Sequence, residues 1–354
     1  MRATEGVLTF KKSAMRLQNA PALTETLAAA SPARFTDYLA LLKPRVMSLV
    51  VFTALTGLVC ADAPMNPISA AMAVLCIAVG AGAAGALNMA YDADIDALMR
   101  RTKSRPVPMG RISRADAAGF GGVLALFSVM LMDLAVNTFA AGLLAFTILF
   151  YALVYTMWLK RLTPQNIVIG GAAGALPPVV GWASATGHAP LNAWILFAII
   201  FIWTPPHFWA LSLYTTPDYA KAGVPMMPVV KGAKSTRRQI LAYSMVLAPL
   251  GVAPVFTGLG GPLYAVVSIL GGAAFAGLAL RLLLSRAGEP DLGSKSDAEP
   301  QSRGKTREGL YTVIGGAKAA RDLFAVSLVY LFALFAALLL EHGPIATFLP
   351  GLRL

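Results

Sequence analysis

Nine stretches of about 20 mostly apolar residues, each long enough to cross a bilayer, limit what this chain can become. They lie at about 44–61, 68–90, 117–134, 138–158, 167–186, 191–212, 240–258, 262–284 and 322–341. With 57% hydrophobic and 13% charged residues and a mean hydropathy of +0.67, the chain carries more apolar surface than a water-soluble globule can hide. Inside a bilayer each segment must satisfy its own backbone polar groups, and helices do so. The expected fold is an all-α polytopic membrane protein with about nine transmembrane helices around a central cavity.

Charge placement sets the orientation. A cytoplasmic N-terminus puts every Lys and Arg except Arg353 on the cytoplasmic side, leaving Asp62, His188, Glu341 and His342 opposite. This asymmetry follows the positive-inside rule and requires an odd number of spans. The net charge of +12 therefore reads as topology and contact with anionic membrane lipid, not as a nucleic-acid signal. Cys60 and Cys76 lie in the first two spans without chelating spacing, and read as buried small hydrophobes.

The polar segment NMAYDADIDALMRRTKSRP (88–106) closes the second span. Asn88, Asp92 and Asp96 recur every four residues and share one helical face, drifting roughly 40° per step, while Asp94 points nearly opposite. Arg100, Arg101, Lys103, Arg105 and Arg111 follow directly. Carboxylates beside a basic loop at the mouth of a span suggest a metal ion held against an anionic ligand such as a diphosphate. The bland alternative is a solvated helix end with positive-inside charge. It leaves the deeper Asn88 on the same face unexplained.

Other polar features surround this one. Pro44 in LLKPRV (41–46) suits the first turn of a helix, where Lys43 and Arg45 either anchor in the headgroups or reach a bound anion. The fourth span ends in YTMWLKRLTPQN (155–166), an aromatic belt with a basic turn at Lys160 and Arg161. Gly170, Gly171 and Gly174 form a small-residue face before Pro177-Pro178, which breaks the fifth span and implies a cavity. In the sixth span Pro205-Pro206 predicts a distortion, and His207 is either a hydrogen-bonded structural residue or a ligand for a metal or heme iron. Tyr214, Asp218, Tyr219 and Lys221 are expected in the following loop, with Asp218 a candidate second carboxylate arm. Phe201, Trp203, Phe208, Trp209 and Tyr214 suit an aromatic pocket wall or, equally, an interfacial belt.

The expected organisation is a flexible cytoplasmic extension (1–35), a nine-helix domain (36–345) and a short tail (346–354). Residues 285–309 read as a disordered cytoplasmic loop from their polar composition. The weaker reading of the first 34 residues is an organellar presequence.

DADIDALMRRTKSRP resembles the first signature, Asn-x3-Asp-x3-Asp, of the intramembrane prenyltransferase superfamily. LLKPRV, YTMWLKRLTPQNIVIGGAAGALPPVVGW, TPPHFWALSLYTTPDYAKAGVPMMPVV and AKAARDLFAVSLVYLFALF resemble, within it, the branch that farnesylates heme. The resemblance implies transfer of farnesyl from farnesyl diphosphate to heme b, giving heme O for terminal oxidases. It implies catalytic Asn88, Asp92, Asp96 and Asp218, with Mg²⁺ on Asn88, Asp92 and Asp96. Arg101, Lys103, Arg105, Lys160, Arg161 and Lys221 would bind diphosphate, and His207, Trp209 and Tyr214 would line the heme pocket. It also implies a cell inner-membrane location with the C-terminus outside (alternatively the mitochondrial inner membrane), and heme A synthase or oxidase assembly proteins as partners. The superfamily's second Asp-x3-Asp pair is absent after the sixth span, which leaves Asp218 nearly alone. A quinone or chlorin acceptor is the alternative chemistry, and a heme or small-molecule transporter the alternative class.

Overall fold

The structure, a computed structural model, describes residues 33–289 and 317–343. Most of the expected N-terminal extension and of the 285–309 loop, and the C-terminal tail, lie outside the described residues. Helices α1 (Phe35–Leu41) and α2 (Pro44–Cys60) are bent by 51° to one another. They are followed by α3 (Pro67–Tyr91), the short α4 (Ala93–Leu98), α5 (Arg114–Ala135) and α6 (Thr138–Leu162). Then come α7 (Asn166–Ala175), α8 (Pro177–Thr186), α9 (Leu191–Lys221), α10 (Met227–Phe256), α11 (Pro262–Leu284) and α12 (Ala317–His342). Among the described residues, eight helical segments are long and apolar enough to cross a membrane, or nine if the bent α1–α2 pair counts as one span. This is a multi-pass membrane protein.

Local sequence explains where helices start and stop. Pro44, Pro67, Pro177 and Pro262 occupy first turns, where a missing N–H costs nothing. Asn66, Ser113 and Asn137 side chains accept hydrogen bonds from the first-turn amides of α3, α5 and α6. Pro177 divides the fifth span into α7 and α8, as its sequence predicts. The sixth span runs further than expected, because α9 continues through Pro205, Pro206 and Pro217 to Lys221. At 31 residues it is about 46 Å long and outreaches a hydrocarbon core of about 30 Å. Tyr214, Asp218, Tyr219 and Lys221 therefore stand on helix and not in a loop. The seventh span begins earlier than expected, at Met227 of α10, with a break at Gly232 (φ 78°).

Neighbouring helices pack in sequence order, and α12 returns to α2, closing a ring. The α7–α8 segment is the most enclosed, with α7 against α9 and α8 against α2. Backbones meet at the second contact: a Cβ on Gly57 would lie 2.1 Å from the Pro178 carbonyl oxygen, and one on Gly181 2.0 Å from that of Ala54. Large apolar side chains such as Val123, Phe127, Met130 and Leu134 on α5 are exposed, as lipid-facing surface requires.

Candidate functional site

Helix α3 stops winding regularly at Asp92 (φ −84°, ψ 9°), yet the amide–carbonyl ladder continues. Asp92 N–H donates to Asn88 O (2.9 Å) and Asp96 N–H to Asp92 O (2.8 Å). The three residues thus keep the shared face their spacing predicts. Asn88, Asp92 and Asp96 are buried, and Asp94 is exposed.

Each carboxylate meets a cation brought from elsewhere. Lys160 Nζ lies 2.5 Å from Asp92 Oδ2, and Arg105 Nη1 2.6 Å from Asp96 Oδ2. Arg161 forks onto Asp94 through two 2.8 Å bonds and approaches Asp92 Oδ1 to 3.9 Å. Arg100 Nε reaches Asp218 Oδ1 at 3.0 Å, linking the loop after α4 to the end of α9. Asn88 Nδ2 donates to Asp92 Oδ2 (2.7 Å) and to Thr156 Oγ1 (3.0 Å), while its Oδ1 accepts from Lys43 Nζ (2.6 Å).

Two irregular backbones make these contacts. Lys43 holds a left-handed conformation (φ 50°) in the turn between α1 and α2, a sparsely populated region for a residue with a Cβ. Residues Phe150–Leu159 of α6 wind as π-helix. Thr156 Oγ1 accordingly donates to Tyr151 O five residues back (2.9 Å), and Thr156 and Lys160 both face Asn88 and Asp92. Gly170 on α7 leaves room for Tyr155, since a Cβ there would meet the ring at 2.1 Å.

Burial first, then repulsion from Arg105 and Lys160, pulls the Lys43 ammonium down to about 7. The Arg161 fork, through its hydrogen bonds, holds Asp94 at about 2. Asp92 Oδ1 is buried with no hydrogen-bond partner. An Asp92 oxygen without a hydrogen bond, approached by Arg161 at 3.9 Å and on one helical face with Asp96, fits a hard divalent cation such as Mg²⁺.

Other expected site residues fall differently. Arg101 and Lys103 are exposed, as is Lys221 at the last position of α9. Asp218 pairs with Arg100, and no three His, Cys, Asp or Glu side chains among the described residues gather into a metal-sized group. His207 and Tyr214 face α12. His207 lies between Trp203 (centroids 4.2 Å, 17° between planes) and Phe324 (4.5 Å, 21°), and Tyr214 packs edge-on against Phe324. Trp209 is fully buried against Tyr243 of α10 instead. Two residues along a helix is roughly 200° of rotation, so Trp209 and His207 stand on different sides.

The sequence assigns no site role to Thr156, Ser327 or Arg321, whose guanidinium sits 5.8 Å from the Tyr214 ring, and places Arg100 in the basic loop without its Asp218 partner. The apolar setting of Thr156 and Ser327 was the one available cue.

The family model described as "UbiA prenyltransferase family" matches residues 50–294. A Caulobacter sp. (strain K31) protein named protoheme IX farnesyltransferase is 64% identical over 317 residues, covering 90% of this chain and 92% of that protein. Among solved structures, a digeranylgeranylglyceryl phosphate synthase superposes with a TM-score of 0.65 at 16% identity, covering 86% of this chain and 98% of that one. A UbiA homolog from Archaeoglobus fulgidus bound to GPP and Mg²⁺ gives a TM-score of 0.54 at 17% identity, covering 85% and 99%. At these identities the two structures show a shared fold.

Proposed function

Because the chain belongs to the UbiA prenyltransferase family, we propose that it moves the farnesyl group of farnesyl diphosphate onto a vinyl group of heme b, giving heme O. The observation that carries this reading is the buried Asn88–Asp92–Asp96 face with Lys43, Arg105, Lys160 and Arg161 around it. The 64% identical relative named protoheme IX farnesyltransferase supports the choice of donor and acceptor. The fold neighbour bound to GPP and Mg²⁺ supports a divalent ion.

Asn88, Asp92 and Asp96 would hold Mg²⁺, which when bound offsets diphosphate charge and so makes a better leaving group. The chain does the rest. Lys160 and Arg105 exchange their carboxylate partners for phosphate oxygens, and Lys43 turns from Asn88 Oδ1 to the same anion. The C–O bond to diphosphate breaks, leaving an allylic cation among aromatic faces, with Tyr151 and Tyr155 next to Thr156. Apolar walls keep water away from that cation until the heme vinyl carbon attacks it. Water then adds to the new side-chain cation and loses a proton, which gives the hydroxyl. Lys103, Arg101 and Lys221 act at the rim as an electrostatic funnel for the donor.

In the same reading the polar end of the bundle faces the cytoplasm of an inner membrane, the C-terminus lies outside, and heme A synthase or oxidase assembly proteins receive the product. Purified protein incubated with heme b, farnesyl diphosphate and Mg²⁺ should yield a hydroxyethylfarnesyl heme by mass spectrometry, lost when EDTA is added. Diphosphate release without modified heme would redirect the search to a quinone or chlorin acceptor. Neither product, from folded protein, would favour a transporter.

A further inference from the structure

The oxygens on the Asn88–Asp92–Asp96 face are held by cations of the chain itself. Asp92 Oδ2 accepts from Lys160 Nζ (2.5 Å) and from Asn88 Nδ2 (2.7 Å). Asp96 Oδ2 accepts from Arg105 Nη1 (2.6 Å), and Asn88 Oδ1 from Lys43 Nζ (2.6 Å). Asp92 Oδ1 has no hydrogen bond, but the Arg161 guanidinium faces it at 3.9 Å. The side chains of Asp92 and Asp96 are 1% and 3% exposed, against 17% for Lys160 and 24% for Arg105. The two cations thus lie on the open side of the anions they pair with, across the path of an arriving ion. They come from separate elements, the end of α6 and the loop after α4.

Charge counting separates two ways of filling this site. The buried Asp92 and Asp96 carboxylates and the paired Lys160 and Arg105 cancel. A divalent ion arriving alone would have to displace both cations with no other anion to receive them, leaving uncompensated positive charge in a buried place. Lys43 and Arg161 stand beside the same oxygens and add to the repulsion. A prenyl diphosphate reverses the balance. It carries more negative charge than one divalent ion cancels, and it offers several oxygens to the displaced ammonium and guanidinium groups. We propose that Lys160 and Arg105 form an interlock, closing the Asp92–Asp96 face to a free divalent cation and opening it only to cation and diphosphate together. The inference rests on the donor-site reading above. It adds an order to binding, and equally to release: Lys160 and Arg105 regain their carboxylates as the diphosphate departs, and expel the metal with it.

The test is Mn²⁺ binding to the purified full chain in detergent, followed by electron paramagnetic resonance of the free ion. It is run with and without farnesyl thiodiphosphate, a slowly ionising analogue of the donor, and the complex of ion and analogue in solution is subtracted. In the unmodified protein the analogue should tighten Mn²⁺ binding by about 50-fold or more, and Mn²⁺ should tighten analogue binding by the same factor, as linkage requires. Lys160→Met, which exchanges the ammonium for an apolar chain of similar length, should bind Mn²⁺ alone about 10-fold tighter or more and show a correspondingly smaller coupling. Mn²⁺ binding to the unmodified protein that is as tight without the analogue as with it would overturn the interlock, and this result needs no variant to fold. So would a folded Lys160→Met variant that binds Mn²⁺ alone no better than the unmodified protein. The same titration reads the donor site. Absence of analogue binding in the presence of Mn²⁺ removes the donor-site reading and this inference together, whereas analogue binding without coupling removes the inference alone.

Discussion

Lys43 Nζ donates to Asn88 Oδ1 at 2.6 Å across 45 positions of sequence, bringing the turn before the first long helix onto the carboxylate face. The left-handed backbone at Lys43 is what aims the side chain there. A residue whose sequence context suits a headgroup anchor is, in the fold, part of the polar cluster.

Lys43→Met should therefore act on donor binding. The KM for farnesyl diphosphate is expected to rise about 10- to 100-fold, the range of a charge-assisted hydrogen bond, with a smaller change in kcat. Diphosphate release measured against donor concentration gives the split. An unchanged KM would return Lys43 to the headgroups.

Asp92 and Asp94 are two residues apart and should behave oppositely. Asp92→Asn should lower turnover about 100-fold or more while the protein still elutes as a folded species, because it removes the buried negative charge that Lys160 and Arg161 face. Asp94 faces solvent and pairs with Arg161 at the surface, so Asp94→Asn should cost no more than about fivefold. Equal losses in the two variants would contradict the one-face reading.

Thr156 joins Asn88 to the π-helical turn. Thr156→Val keeps the shape but removes the hydroxyl, and about a 5- to 10-fold loss of turnover is expected, of the size of one hydrogen bond. Thr156→Ser should recover most of it. A serine variant as slow as the valine would mean that the methyl group matters and not the hydroxyl.

Glu341 is buried at the far end of the bundle, where its two oxygens accept from Gly261 N–H (2.8 Å) and Tyr264 N–H (2.9 Å) at the start of α11. Glu341→Gln removes the charge that complements this helix N-terminus and should destabilise by about 1–2 kcal/mol. Thermal unfolding in detergent should register the drop, with heme farnesylation at low temperature unaffected.

Gly181→Ala tests packing alone. The added methyl would fall 2.0 Å from the Ala54 carbonyl oxygen, and backbone cannot move aside as a side chain can. A loss of about 3 kcal/mol is expected, seen as earlier unfolding in a denaturant series. Gly174→Ala, where nothing lies within 4 Å, is the neutral comparison.

Much of the fold is legible in hydropathy, since a bilayer leaves helices as the only option for the long apolar runs. The end of α9 is not, because beyond the hydrocarbon core helix propensity and packing extend the helix after apolarity has faded. The acidic half of the site follows from four-residue spacing near one helix end. Its basic half was legible only in part: Lys160 and Arg105 stand out as charges, but their pairing with Asp92 and Asp96 depends on closure of the ring. Thr156 is reached through a π-helical register that no α-helical periodicity anticipates. The family resemblance puts Trp209 in one pocket with His207. The two-residue interval already argues against that, and the structure seats it against α10.

The contact between α2 and α8 has a mechanical consequence. Carbonyl oxygens face glycine Cα atoms in both directions there, at Gly57–Pro178 and at Gly181–Ala54, so neither helix can slide or tilt without a backbone collision. Between α9 and α12 the contacts run through side chains, Trp203 on His207 and His207 on Phe324, with Trp203 and His207 hydrogen-bonded to Ser327, and side chains can give where backbone cannot. The bundle is thus stiff along one wall and compliant along another. Entry and exit of a broad planar molecule should strain the compliant wall and leave the stiff one, with the spacing it imposes, unmoved.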